Sequence, residues 1–148
     1  MKLEPGKPKT GLRVGKKITN MITVKFDRDG GPLTARAVFL GDMVADYGMF
    51  LKPKNSNSQT LLMEGDNLNP EDDSKELPTP ASINNGRRLK LKTAYFGNHP
   101  DRKPDYEIRL EVLQDGEVIG FESEKSDDTS KLIDRAQISL LLINLVAK

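Results

Sequence analysis

The residues that could do chemistry are few. The chain has one histidine, His99, in "YFGNHPDRKPDYE", with Asp101 and Asp105 close by. A histidine acting as general base needs a group to orient its imidazole, and either aspartate could serve. The stretch is also rich in Pro, Asn and Asp, the composition of a turn between strands, so His99 reads as a solvent-exposed loop residue. No G-x-S-x-G elbow, H-E-x-x-H pair or G-x-x-x-x-G-K-[ST] loop occurs. "GLRVGKK" approaches the last of these but is one residue short between its glycines and lacks the Ser or Thr, and it reads as a strand start with basic flanks. Without cysteine there is no disulfide, zinc-thiolate site or thiol nucleophile. These residues predict no catalytic site and no cofactor.

The second stretch with chemical promise is "EGDNLNPEDDSKELPTPASINNGR", residues 64–87, whose oxygen ligands would suit a hard cation. An EF-hand loop starting at Asp66 puts Leu68 and Pro70 at ligand positions, and one starting at Asn67 puts Asp72 where glycine is required. An irregular calcium set of Asp66, Asn69, Asp72 and Asp73 is the alternative; the expectation is no metal. Paired carboxylates for glycoside hydrolysis work in clefts with aromatic platforms, and a chain with no Trp, three Tyr and five Phe is poor in them. Single-stranded nucleic acid would need cations beside exposed rings, and Lys90, Lys92, Tyr95 and Phe96 are the candidates. Tyr95, however, shares a strand face with Leu89 and Leu91 and is expected in the core.

Charge is balanced overall at +1 but not locally. Residues 1–29 carry eight bases against three acids, and residues 64–77 carry six acids against one base. The basic arm, with Lys2, Lys7, Lys9 and Arg13, and the acidic stretch, with Asp66, Glu71, Asp72 and Asp73, are therefore the expected partner-binding segments. The acidic stretch of one subunit could meet the arm of its neighbour, a head-to-tail contact that builds rings, shells or filaments. A solvated linker is the alternative reading of residues 64–87.

The elements that must position these segments show period-two alternation. Ile22, Val24 and Phe26 share a face, as do Leu33, Ala35, Ala37 and Phe39, and "DRDGG" between the two runs has the chemistry of a hairpin turn. Ala45, Tyr47, Met49 and Leu51 form another face, and Leu89, Leu91 and Tyr95 another, with Lys90 and Lys92 pointing outward. The clearest unit is "DYEIRLEVLQDGEVIGFESE", where Asp115-Gly116 is a two-residue hairpin loop. Opposed residues then sum to 231, pairing Val112 with Ile119, Leu110 with Phe121 and Arg109 with Glu122. "SDDTSKLIDRA", with Leu132, Ile133 and Ala136 at helical spacing, predicts one short helix. The tail 137–147 is apolar on both faces; Ile143 and Val146 favour a strand buried on both sides over a continued helix.

The chain of 148 residues reads as an extended basic arm (1–12) followed by one domain (13–148) with a long acidic loop at 64–87, long enough to bury roughly 70% of its unfolded surface. The fold class is all-β: an antiparallel, jelly-roll-like sandwich of seven or eight strands with one short helix near the C-terminus, a partly open barrel being the alternative. The N-terminus lacks the apolar core of a signal peptide and no run is long enough to span a membrane, which predicts cytoplasmic synthesis with a virion as a possible destination. The function expected is that of a non-enzymatic structural or interaction subunit of a larger assembly such as a phage particle, with other protein subunits as partners. The alternative is a recognition module for carbohydrate or single-stranded nucleic acid.

Overall fold

The computed structural model describes residues 14–68, 73–97, 105–126 and 136–148. These form nine strands and one short 3-10 turn. The strands are β1 (Val14–Phe26), β2 (Leu33–Gly41), β3 (Met43–Lys52), β4 (Thr60–Asp66), β5 (Asp73–Glu76), β6 (Arg88–Gly97), β7 (Tyr106–Gln114), β8 (Glu117–Lys125) and β9 (Ala136–Ala147). The 3-10 turn spans Ala81–Asn84. Two sheets pack face to face as a sandwich, one in the order β1-β9-β6-β3-β4 and the other in the order β5-β2-β7-β8. Neighbours run antiparallel throughout except β1 and β9, which are parallel.

The expected inward faces are the observed ones. Val24, Phe26, Leu33, Ala35, Met49, Leu89, Leu91 and Tyr95 lie in one core with Ile108, Leu110, Leu141 and Ile143. Lys92 points to solvent, as the alternation requires. The tail is a strand, β9, at an interior position of the five-stranded sheet. Only its inward set, including Leu141, Ile143 and Leu145, is fully buried; the outward set of Ile138, Leu140, Leu142 and Val146 is partly exposed. The helix expected over 126–136 falls mostly outside the described residues, but Ala136, assigned to it from the sequence, instead opens β9.

Three expectations are corrected. "DRDGG" does not close a hairpin: β1 pairs with β9 while β2 pairs with β5 and β7, so this corner carries the chain from one sheet to the other. It is held by side chains of the β7-β8 turn. The buried Gln114 amide accepts from Asp27 N and donates to the carbonyls of Asp27 and Gly31, and Asp115 Oδ1 accepts from Gly31 N.

The register of the β7-β8 hairpin is the second correction. Leu113–Val118 and Gln114–Glu117 pair as expected, around Asp115 and Gly116 with φ of 53° and 81°. A bulge between Val112 and Leu113 then shifts the register by one, so Leu110 faces Glu122 and Phe121 faces Glu111. The bulge turns Phe121 outward, where Arg109 stacks on its ring at 4.1 Å. It also brings Gly120 inward against Val24 of β1, where a Cβ would lie 2.6 Å from Val24 Cγ2. The two sheets thus approach closely at β1 and β8, and only glycine fits there.

Third, residues 64–87 are not a structureless loop in their described part. They contain the end of β4, all of β5 and the 3-10 turn, and Leu77 and Ala81 are core residues. Asn84 closes this segment, donating to the carbonyls of Pro78 and Ala81.

Candidate functional site on the five-stranded sheet

Of the residues expected to bind partners, Lys2, Lys7, Lys9, Arg13, Glu71 and Asp72 lie outside the described residues, as do His99 and Asp101. Asp66 ends β4 and accepts from Leu68 N at 3.0 Å. Asp73 opens β5 and accepts the Tyr47 hydroxyl, a bond that ties β3 of one sheet to β5 of the other. That carboxylate is therefore engaged inside the molecule. Asp105 accepts from the Ser126 hydroxyl at 3.2 Å. No cluster of three or more His, Asp or Glu placed to hold a metal occurs among the described residues.

Among the described residues the interior holds a polar knot that links the two sheets. Glu124 is 4% exposed, and its Oε2 accepts from the hydroxyls of both Tyr95 and Tyr106, the latter at 2.8 Å. Burial first, then the hydrogen bonds to Glu124 and Tyr106, push the Tyr95 hydroxyl well above the ordinary tyrosine range. Tyr47 is raised for parallel reasons, burial and then Asp73. Hydroxyls this reluctant to ionise are poor acid–base groups at neutral pH, so the knot reads as a structural tie between the sheets.

The outward faces of the two sheets differ. On the four-stranded sheet, charges are paired in a ladder. Arg36 contacts Glu111 at 2.6 Å, Glu111 meets Arg109 at 3.6 Å, and Arg109 meets Glu107 at 3.4 Å. On the five-stranded sheet they are separated along the strands. Register places Lys52, Arg88, Asn144 and Thr23 on one rung, then Phe50, Lys90, Leu142 and Met21 on the next. Gly48, Lys92, Leu140 and Thr19 follow, and after them Asp46, Ala94 and Ile138. On β4, Leu61 sits beside Phe50, Glu64 beside Gly48 and Asp66 beside Asp46.

This face thus carries Lys52 and Arg88 on one rung and Asp46 and Asp66 on another, and between them Met21, Phe50, Leu61, Leu140 and Leu142 lie among Lys90, Lys92 and Glu64. Phe50 lies over Gly48, its ring 3.0 Å from where a Cβ would be, and Lys90 Nζ sits 5.0 Å above the ring centroid. Arg88 Nε donates to Asn144 Oδ1 at 2.8 Å, which holds the guanidinium against the sheet. Among the described residues Lys25, Lys52, Lys92, Asp46 and Glu64 form no ion pair. Met21 is 53% exposed, Leu61 47% and Phe96 45%, a concentration of large apolar side chains that isolated surface residues do not produce.

Met21, Phe50, Lys52, Arg88, Leu140 and Leu142 were not identifiable as a surface from the sequence. Their one signal was the tail that is apolar on both strand faces, which reads as burial on both sides; here it marks a strand buried on one side and partly exposed on the other. Against known proteins, the chain matches no family model, no curated protein and no solved structure.

Proposed function

We propose that this protein is a non-enzymatic interaction subunit of a larger assembly, of which a virion is one kind, and that it docks through the outward face of the five-stranded sheet. The observation that carries the reading is that face, where the exposed Met21, Leu61 and Phe96 lie with Phe50, Leu140 and Leu142 beside charges such as Lys52, Lys92, Asp46 and Glu64 that form no ion pair among the described residues. Exposed apolar side chains concentrated on one face beside polar groups mark interaction sites. The engaged Asp73 and the sealed Tyr95–Glu124 knot support the non-enzymatic side of the reading. The test uses Met21→Glu with Leu61→Glu, two exposed positions whose change leaves the core untouched. Wild-type protein in extracts of its own source should run in a complex larger than the monomer, and the variant should run as a monomer. A wild-type chain that is monomeric in that extract overturns the reading.

A second reading, single-stranded nucleic acid, is favoured by one observation, the Lys90–Phe50 stack with Lys92 and Phe96 on the same face. Base stacking on exposed rings beside cations is how such binders work. Filter binding to an oligonucleotide at low salt, lost on Phe96→Ala and weakening steeply as salt rises, is the expected result if this reading holds. For carbohydrate no comparable observation exists among the described residues.

A further inference from the structure

We infer that Asn85 is a site of spontaneous modification, deamidation to aspartate and isoaspartate, and that the docked end of β9 holds the reaction off. Asn85-Gly86 is the one Asn-Gly pair in the sequence. In such a pair the glycine nitrogen attacks the asparagine side chain, because no side chain on the glycine hinders the approach. The Gly86 nitrogen loses its proton and bonds to Asn85 Cγ, the Cγ–Nδ2 bond breaks, and Nδ2 takes up the proton and leaves as ammonia. Water then opens the cyclic imide at either carbonyl. Opening at Cγ gives aspartate, whereas opening at the main-chain carbonyl leaves the chain running through Cγ, as isoaspartate. Glycine is fixed at position 86 by the fold, since its φ is 84° and a Cβ would lie 2.8 Å from Lys54 Cδ.

Asn85 and Gly86 are both exposed, yet the fold holds the reacting atoms apart. Ring closure requires Asn85 Cβ and Gly86 N to be nearly eclipsed about the Cα–C bond, which an L residue reaches at a strongly negative ψ; Asn85 has ψ 124°. Three hydrogen bonds keep it there. Gly86 N donates to Leu145 O at 2.7 Å, Leu145 N donates to Arg87 O at 2.9 Å, and Ala147 N donates to Asn85 Oδ1 at 2.9 Å. All three join residues 85–87 to the last residues of β9, so the reaction waits on local release of that strand end, and its rate reports the opening. The two products differ in consequence. Aspartate at position 85 keeps an oxygen that accepts from Ala147 N. Isoaspartate adds a carbon to the main chain between residues 85 and 86, which moves Gly86 and Arg87 out of register with Leu145 and weakens the attachment of β9.

The experiment incubates the full chain in mildly alkaline buffer, both folded and unfolded in guanidinium, and follows the tryptic peptide of residues 76–87 by mass spectrometry. Fragmentation separates Asn85 from Asn84, and an isoaspartate-specific methyltransferase counts the isoaspartate. The unfolded chain should deamidate at Asn85, and the folded chain should do so more slowly by roughly tenfold or more. Ala147→Pro removes the donor to Asn85 Oδ1 and should speed the reaction of the folded chain severalfold while its circular dichroism stays that of the wild type. Asn85→Asp should unfold at the wild-type guanidinium concentration, and the purified isoaspartate form at a lower one. An unfolded chain that stays unmodified at Asn85 overturns the site. A folded chain that reacts as fast as the unfolded one, or a folded Ala147→Pro chain that reacts at the wild-type rate, overturns the protection by β9. Where Ala147→Pro does not fold, the folded and unfolded wild type decide between them.

Discussion

A carboxyl group as enclosed as Glu124 needs donors inside the protein, and the hydroxyls of Tyr95 and Tyr106 supply them to its Oε2. Tyr95→Phe removes one donor without changing the packing volume, and should cost about 1–3 kcal/mol in urea unfolding, the usual penalty for leaving a buried polar group short of a partner. The pH dependence follows from the raised pKa values of Tyr47 and Tyr95. Below about pH 10 neither the folded nor the unfolded chain ionises these tyrosines, and their contribution to stability is fully present. Above it the unfolded chain loses protons that the folded chain keeps, so stability falls as pH rises toward the folded values. Ultraviolet titration should therefore show Tyr47 and Tyr95 ionising together with loss of the near-ultraviolet dichroism. Reversible ionisation of all three tyrosines near pH 10 in a folded protein would contradict this.

At the scale of elements, Gly120 is where the two sheets are drawn together. The methyl added by Gly120→Ala would collide with Val24 Cγ2, forcing β1 away from β8 at a cost of about 1–3 kcal/mol. Val24→Ala makes room for it, so the double variant should lose less than the sum of the two single ones in a denaturation cycle. Equal additivity would mean that β1 and β8 do not meet. Gly120 also shows the limit of what was legible. Asp115-Gly116 fixed the turn and the two pairs beside it, but a bulge leaves no trace in period-two spacing until the register has already slipped. β5, with the sequence Asp-Ser-Lys-Glu, has no apolar residue to alternate and exists through backbone pairing with β2. β4 places Leu61, Leu62 and Met63 in succession around its own irregularity opposite Met49 and Phe50, which hides its alternation. Inward faces were readable because burial imposes a period. The outward face, which carries the candidate site, was not, because it needs strand neighbours such as Lys52 beside Arg88 that lie far apart in sequence.

Across the whole molecule, the strand pairs differ widely in the length of chain that joins them. β7 and β8 are joined by two residues, whereas β1 and β9 bring Val14 beside Ala136 and Phe26 beside Ala147. Closing the long connection costs chain entropy before any contact repays it, so local pairs form first and the terminal strands dock late. Each end of the chain then depends on the other: Lys148 N donates to Phe26 O, and Gly86 N donates to Leu145 O, so β9 is held from both flanks only once β1 is in place. Mutations in the two regions should therefore act on different rates. Val112→Ala in the hairpin should mainly slow refolding, while Ile143→Val, at about 1 kcal/mol, should mainly speed unfolding by roughly fivefold and leave refolding nearly unchanged. Stopped-flow tyrosine fluorescence over a denaturant series reads both limbs. An Ile143→Val chain that refolds slowly and unfolds at the wild-type rate would place the β1-β9 pair in the folding nucleus and reverse the order.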